Sequence, residues 1–253
     1  MRIALIADIH GNLAALDAAF TEIERAGVDQ VVCLGDVAAT GPQPHEVVAE
    51  LRHRGCPVVM GNADAELLAS DAGPGPDPAT EEGKLAELAR WGAARLDADD
   101  LAFIRSFPPT ISIVIEPFAE LLCVHGSPRD FNDVIRATTP AAALDPMLML
   151  DPERCPAVIA GGHTHVPLLR PYRGTILANP GSVGSPHEEW PDGRTIVAAY
   201  ASFAILSITP GHQSLAFHRV PYDQSVTIRA MDEQGMPFAD WVASDWQWTL
   251  EQP

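Results

Sequence analysis

Four short apolar runs, at residues 3–7, 30–34, 57–60 and 120–124, each stop at a glycine, aspartate, histidine or asparagine instead of fading into a polar loop. Runs of this length, apolar at successive rather than alternate positions, suit strands buried on both faces. Between the first two, Leu13, Leu16, Phe20 and Ile23 recur at spacings of three and four, from Asn12 as a cap to a stop at Gly27. The spacing predicts an amphipathic helix. A second helix is expected over 44–54, with Val47, Val48 and Leu51 on one face and Gly55 at its end. The first sixty residues therefore read as βαβαβ, the opening of an α/β fold.

Residues 71–80 hold three prolines and two glycines, which predicts a loop or lid. Further helices are expected at 81–96, 99–106 and 140–150, and strands at 110–115, 156–160, 175–178 and 196–208. Residues 195–217 carry no formal charge, but Pro210-Gly211-His212 breaks the stretch, so it reads as a hairpin of strands and not as a membrane span. After Pro221-Tyr222-Asp223 a short helix to Gln234 is expected, then a tail with Trp241, Trp246 and Trp248 that packs on the body. There is no internal repeat and no long linker, so residues 1–253 are expected to form one domain, with 223–253 as its C-terminal helix and tail.

Charge narrows the choice of partner. The 34 acidic residues outnumber the 16 basic ones, for a formal charge of −18, and Lys84 is the sole lysine. A surface that grips long DNA or RNA needs the opposite sign, because neutralised phosphates supply most of the affinity. An acidic membrane surface is disfavoured for the same reason. Asp8 interrupts the first apolar run before a signal-peptide core is reached, so the cytoplasm is the expected compartment. Cys33, Cys56, Cys123 and Cys155 are far apart, form no C-x-x-C pair, and read as buried free thiols.

The residues that close the runs carry the chemistry: Asp8-x-His10, Gly35-Asp36, Gly61-Asn62, His125-Gly126 and Gly162-His163-x-His165. Singly, an aspartate after a strand is a turn residue, and a lone histidine is more often a hydrogen-bonded residue than a ligand. Five such groups in order are another matter, since ligand sites in α/β sheets lie beyond the carboxyl ends of the strands. Two carboxylates, one amide oxygen and four imidazoles, with no thiolate, suit manganese, iron or zinc better than calcium or an iron–sulfur cluster. Seven ligands exceed one tetrahedral ion and match two ions that share a bridge. Residues two apart on extended chain point the same way, so Asp8 with His10, and His163 with His165, can converge.

Taken together these blocks resemble the calcineurin-like metallophosphoesterases, whose pattern runs D-x-H, G-D, G-N-x-[D/E], H and G-H-x-H. They stand here as Asp8-Ile9-His10, Gly35-Asp36, Gly61-Asn62-Ala63-Asp64, His125-Gly126-Ser127-Pro128 and Gly162-His163-Thr164-His165. Residues 179–184 (N-P-G-S-V-G) and Val220-Pro221-Tyr222-Asp223 are similar to its small bacterial and archaeal phosphodiesterase-like branch. The resemblance implies a four-layer α/β/β/α sandwich of two mixed β-sheets flanked by helices. It implies that Asp8, His10 and His165 hold one ion, that Asn62, His125 and His163 hold the other, and that Asp36 bridges them. Asp36, Asn62 and His125 would be the catalytic core. The cofactors would be two divalent transition-metal ions, manganese first, with iron, zinc, nickel or cobalt as alternatives.

The implied reaction is hydrolysis of a small phosphate ester, a phosphodiester first, by a metal-bridging hydroxide. Dinucleoside polyphosphates or phosphoproteins are alternative substrates, and a non-catalytic scaffold is the alternative of another class. A homo-oligomer is left open. Ala63 departs from the family, in which histidine often stands there to protonate the leaving oxygen; such a loss typically costs ~10² to 10⁴ in rate. Asp64 and His187 are the substitutes to weigh, against a helix cap and an exposed loop residue. Asn12 reads equally as a phosphate contact or a helix cap, and Arg129 as a substrate contact or a surface ion pair. Ser182 reads as part of a turn, Lys84 as lying on a solvated helix face, and His45, His53, His212 and His218 as surface residues.

Overall fold

Alternation along the first strand divides the interior into two cores. In the computed structural model, which describes residues 1–70, 75–115, 119–150, 155–190, 194–244 and 246, β1 (Arg2–Ile6) sends Ile3 and Leu5 to one side and Ala4 and Ile6 to the other. All four are fully buried, which is why the run is apolar at every position.

The chain continues as α1 (Leu13–Ala26), β2 (Gln30–Cys33), α2 (Pro44–His53), α3 (Asn62–Ala69), α4 (Glu81–Ala93) and α5 (Ala98–Arg105). Then follow β3 (Ile111–Ile115), β4 (Ala119–Cys123), α6 (Ala141–Leu148), β5 (Val158–Ala160), β6 (Leu168–Tyr172) and β7 (Thr175–Asn179). The last third holds β8 (His187–Glu189), β9 (Thr195–Val197), β10 (Tyr200–Thr209), β11 (His212–Pro221), α7 (Gln224–Glu233) and α8 (Ala239–Ala243).

One sheet runs β11-β10-β1-β2, with β1 parallel to β2 and antiparallel to β10. The other runs β3-β4-β5-β7-β6, parallel at its centre and antiparallel at both edges. Between them Ile3, Leu5, Val32 and Leu206 meet Leu121, Cys123, Val158 and Ala178. Outside the first sheet, Ile6, Phe203 and Ile205 pack on Leu16, Phe20 and Ile23 of α1 and on Val48 and Leu51 of α2. Outside the second, Ile159 and Leu177 pack on Leu144 and Leu148 of α6. The result is the expected α/β/β/α sandwich of two mixed sheets. Each fully buried Leu, Ile or Phe in these layers contributes about 1.5–3 kcal/mol over its exposed state.

Asn12 caps α1, its side-chain oxygen accepting from the Ala15 N–H at 3.2 Å, and Gly27 ends the helix at φ 65° as predicted. Several expectations need correction. Residues 57–60 form no strand; only an isolated bridge joins Val58 to Cys33, because Pro57 has no N–H to give and α3 starts at Asn62. The run 196–208 divides at Ala198, whose N–H goes to the Pro186 carbonyl, so β9 leaves to pair with β8. Cys155 is exposed, while Cys33, Cys56 and Cys123 are buried free thiols. Lys84 is not simply solvated: its Nζ lies 4.7 Å from the Trp241 ring centroid.

The hairpin is present as β10 and β11, which turn at Pro210-Gly211. Trp241 and Trp246 pack with Leu88, Met231 and Met236 against α4 and α7, as expected of the tail. Residues 71–74 of the expected lid and Trp248 of the tail lie outside the described residues. No helix among the described residues is long and apolar enough to cross a membrane.

Candidate metal centre

Four loops at the carboxyl ends of strands, with the start of α3, bring the predicted residues together. Asp8 and His10 leave β1, Asp36 leaves β2, His125 leaves β4, and His163 and His165 leave β5, while Asn62 opens α3. Among the described residues nine non-glycine residues have positive φ, and five of them are Asp8, His10, Asp36, His163 and His165; a sixth, Thr40, bonds His10. Left-handed backbone costs non-glycine residues energy and survives where the surroundings impose it, which marks this region as a functional site.

The surroundings are identifiable. The Asp8, Ile9, His10 and Gly11 amides donate to carbonyls of residues 35–37, which continues the β1–β2 pairing beyond the strands. The buried Asp64 carboxylate accepts from the Asp36 and Val37 amides at 2.9 Å and from Gly61 at 3.1 Å. Gly61 is required by proximity, since a Cβ there would stand 2.1 Å from Asp36 Oδ1. Asp8 takes the His163 amide on both carboxylate oxygens at 3.1 Å, and the Ser182 hydroxyl donates to the Asp8 carbonyl at 2.7 Å.

Two groups of ligand atoms result, each within 4.8 Å: Asp8 with His10 and His165, and Asp36 with His125 and His163. Asn62 joins the second group, its Oδ1 3.0 Å from His125 Nε2, and it is oriented by its hydrogen bond to the Glu66 carboxylate. Asp36 Oδ2 lies 3.3 Å from His125 Nε2 and 3.9 Å from His10 Nε2, between the groups.

Whether this set fits cations can be tested on its hydrogen bonds. His10, His125 and His165 each turn Nδ1 to a backbone carbonyl, of Ala39 at 3.1 Å, Leu34 at 2.6 Å and Ser185 at 2.7 Å. A carbonyl only accepts, so Nδ1 carries the proton and each Nε2 presents a lone pair. The Nε2 atoms of His10 and His165 face each other at 3.1 Å, and that of His125 faces only oxygen acceptors. Lone pairs from imidazoles, two carboxylates and an amide thus converge with no donor among them, an arrangement that positive charge satisfies.

Without metal, protons answer that demand. Burial disfavours a charged His125, but the charge and hydrogen bond of Asp36 and the charge of Asp8 outweigh it and raise its pKa to about 10. Burial lifts Asp8 to about 8, against the attraction of His125. For Asp36 burial also acts upward, yet His125 and His10 hold its carboxyl below the usual range. Burial lowers His10, His163 and His165.

The remaining candidates fare unevenly. Asn12 is spent: its oxygen accepts from Ala15 and Thr227, and its amide donates to the Gly184 carbonyl and Tyr222, with 1% of its surface exposed. The cap, not a phosphate contact, is what its geometry provides. Arg129 is engaged by Asp133 in a surface ion pair at 2.5 Å. Asp64 is enclosed and committed to backbone, and has no path to a leaving group. His187 is no loop residue; it sits on β8, its ring centroid 4.4 Å from that of His165. Ala63 donates its N–H to Asp36 Oδ1 at 2.8 Å, a role any residue but proline fills.

His45, His53 and His212 are exposed, as expected, while His218 is partly covered, stacked on Phe203 at 4.7 Å. Thr40, whose hydroxyl lies 2.9 Å from His10 Nδ1, had no signal in its neighbours Ala39 and Gly41.

Comparison with known proteins agrees with this geometry. The calcineurin-like phosphoesterase superfamily domain matches residues 1–202. An uncharacterized protein of Methanocaldococcus jannaschii is 29% identical over 201 residues, spanning 74% of this chain and 77% of its own. The crystal structure of a metallophosphoesterase from Sphaerobacter thermophilus is 28% identical, with TM-score 0.69 and 97% of each chain covered. A hypothetical protein of Pyrococcus horikoshii shares the fold at 22% identity, with TM-score 0.76 over 93% of this chain and 94% of that one. The loops that end the strands, the donors they gather and the match over residues 1–202 lead to one conclusion: the chain belongs to the calcineurin-like phosphoesterase superfamily.

Proposed function

We propose that the chain is a two-metal phosphoesterase that hydrolyses small phosphodiesters in the cytoplasm, with manganese as its preferred ion. The observation that carries this reading is the convergence of seven acceptor side chains into two groups with Asp36 between them. Asp8, His10 and His165 would hold one ion, Asn62, His125 and His163 the other, and Asp36 both. When bound, two divalent ions polarise a phosphoryl group and lower the pKa of a water placed between them.

The protein's own part is orientation. The carbonyls of Ala39, Leu34 and Ser185 fix the rings of His10, His125 and His165 in the tautomer that aims Nε2 inward. The imidazole of His187, its ring 4.4 Å from that of His165, would be the group to pass a proton to the departing oxygen, a role Ala63 cannot fill. Were His187 not to serve, esters with acidic leaving groups would be the favoured substrates.

Two ions would bring four positive charges against the two of Asp8 and Asp36 and one of a hydroxide, so the pocket would be locally positive within a body of formal charge −18. A small anion is drawn to that local field, whereas a long nucleic acid would run onto repelling surface.

The test is metal analysis and turnover of protein purified with Mn²⁺, using bis(p-nitrophenyl) phosphate, diadenosine tetraphosphate and a phosphopeptide. About two ions per chain and chelator-sensitive hydrolysis of the diester are expected. Asp36→Asn should lower turnover more than about 100-fold, beyond the effect of losing an outer partner of a metal ligand. Less than one ion per chain, with no hydrolysis, would leave a scaffold as the better reading.

A further inference from the structure

Beside the metal centre a cavity of about 420 Å³ opens between α4 and the C-terminal segment. Leu85, Trp241 and Trp246 supply its apolar walls, Glu81 a carboxylate, and His10 and His187 close the end next to the metal ligands. Its volume is in the range of sites for small organic molecules, roughly 300–1,000 Å³. Leu85 is 38% exposed, an apolar side chain left uncovered within reach of the reacting centre.

Its counterpart across His187 is different. That second cavity carries Arg136, Arg219 and Glu188. A phosphodiester held by the metal ligands would thus have unlike surroundings on the two sides of His187, one aromatic and one charged. Trp241 and Trp246 lie beyond residues 1–202, so the aromatic wall comes from outside the segment that the family model matches.

Resting on the phosphoesterase reading above, we propose that the cavity walled by Trp241, Trp246 and Leu85 binds a nucleobase, which makes the substrate a nucleotide-derived ester. Flat aromatic surface against tryptophan selects a planar ring. The Glu81 carboxylate selects a ring that carries N–H donors and repels an anionic one. Lys84, 4.7 Å from the Trp241 ring centroid, braces the wall from α4.

The experiment is calorimetric titration of the Mn²⁺-loaded full chain with AMP and with ribose 5-phosphate, which differ only in the base. AMP should bind at least about tenfold more tightly, the order expected for one base stacked on an aromatic side chain. Trp241→Ala should remove that ratio and leave ribose 5-phosphate binding unchanged. Leu85→Ala, at an exposed position that does not threaten folding, should lower it without adding a charge that draws phosphate. Quenching of tryptophan fluorescence by adenosine in the metal-free protein is expected as a readout independent of phosphate and metal. Equal binding of the two ligands by a protein that hydrolyses bis(p-nitrophenyl) phosphate would overturn the nucleobase site and leave the phosphoesterase reading standing. Absence of metal, hydrolysis and binding together would overturn both.

Discussion

Replacing Asp64 with asparagine should loosen the turn that carries Asp36, although the two side chains have nearly the same shape. Asp64 Oδ2 accepts from the Asp36 and Gly61 amides and Oδ1 from the Val37 amide. Asparagine keeps one oxygen, which best serves the pair of amides and sets its NH₂ against the Val37 N–H. Val37 is fully buried, so no water can take over. An unsatisfied buried donor costs about 1–3 kcal/mol. For a chain of this size, 2 kcal/mol lowers Tm by roughly 4–8 °C. The Asp36 turn, held at φ 55° by these bonds, relaxes as well, and Mn²⁺ affinity should fall by about 10–100-fold. Thermal melts with and without EDTA, with manganese titrations, give both quantities. They belong at pH 8, where Asp64 is ionised even though burial and then the Asp36 charge raise its pKa to about 6. A melt within about 1 °C of the wild type, with unchanged metal affinity, would refute this account of the loop.

Protons and metal compete at His125: with its pKa raised to about 10 by Asp36 and Asp8 against the effect of burial, the metal-free site is protonated there at pH 7. Mn²⁺ affinity should therefore rise about tenfold per pH unit from 6 to 9, with at least one proton released, counted by calorimetry in buffers of different ionisation heat. Heats independent of the buffer would contradict it. At a His–Asp pairing away from the metal centre, the hydrogen bond and then the charge of Asp100 raise His45 above its ordinary value. That contribution to stability is fully present below about pH 6.5 and is lost as pH rises through the raised folded value. The melting difference between wild type and His45→Gln should accordingly be larger at pH 6 than at pH 9, and a constant difference would exclude the pairing.

What the sequence made legible was decided by local chemistry. Residues 3–7 are apolar throughout because β1 is covered on both faces, and α1 is framed by Asn12 and Gly27, whose roles need no distant partner. The metal blocks were readable because each closes an apolar run, four of which are strands. What escaped depends on partners far along the chain. Residues 57–60 resemble a strand by composition, yet Pro57 and the start of α3 hold the pairing to a single bridge with Cys33. β6 contains Pro171, tolerated because β6 is a sheet edge, a placement no local pattern encodes. Asp64 looked like a cap for its own helix, but two of its three bonds go to residues 36 and 37. Asn12 satisfies its side chain with residues 184, 222 and 227, so the choice between cap and ligand could only be made in the folded chain.

The pairing of β1 has a consequence for how the chain is made. One edge of β1 is met by β2 within thirty residues, but the other waits for β10, where Arg2 faces Ser207 and Leu5 faces Ala204. At roughly 5–20 residues per second, a ribosome takes about 10–40 s to deliver that partner. For that interval a strand that is fully buried from Ile3 to Ile6 in the folded protein stands at an open edge, a template for any other strand nearby. Slower translation lengthens the wait for β10, and should therefore raise the fraction of this chain lost to aggregation.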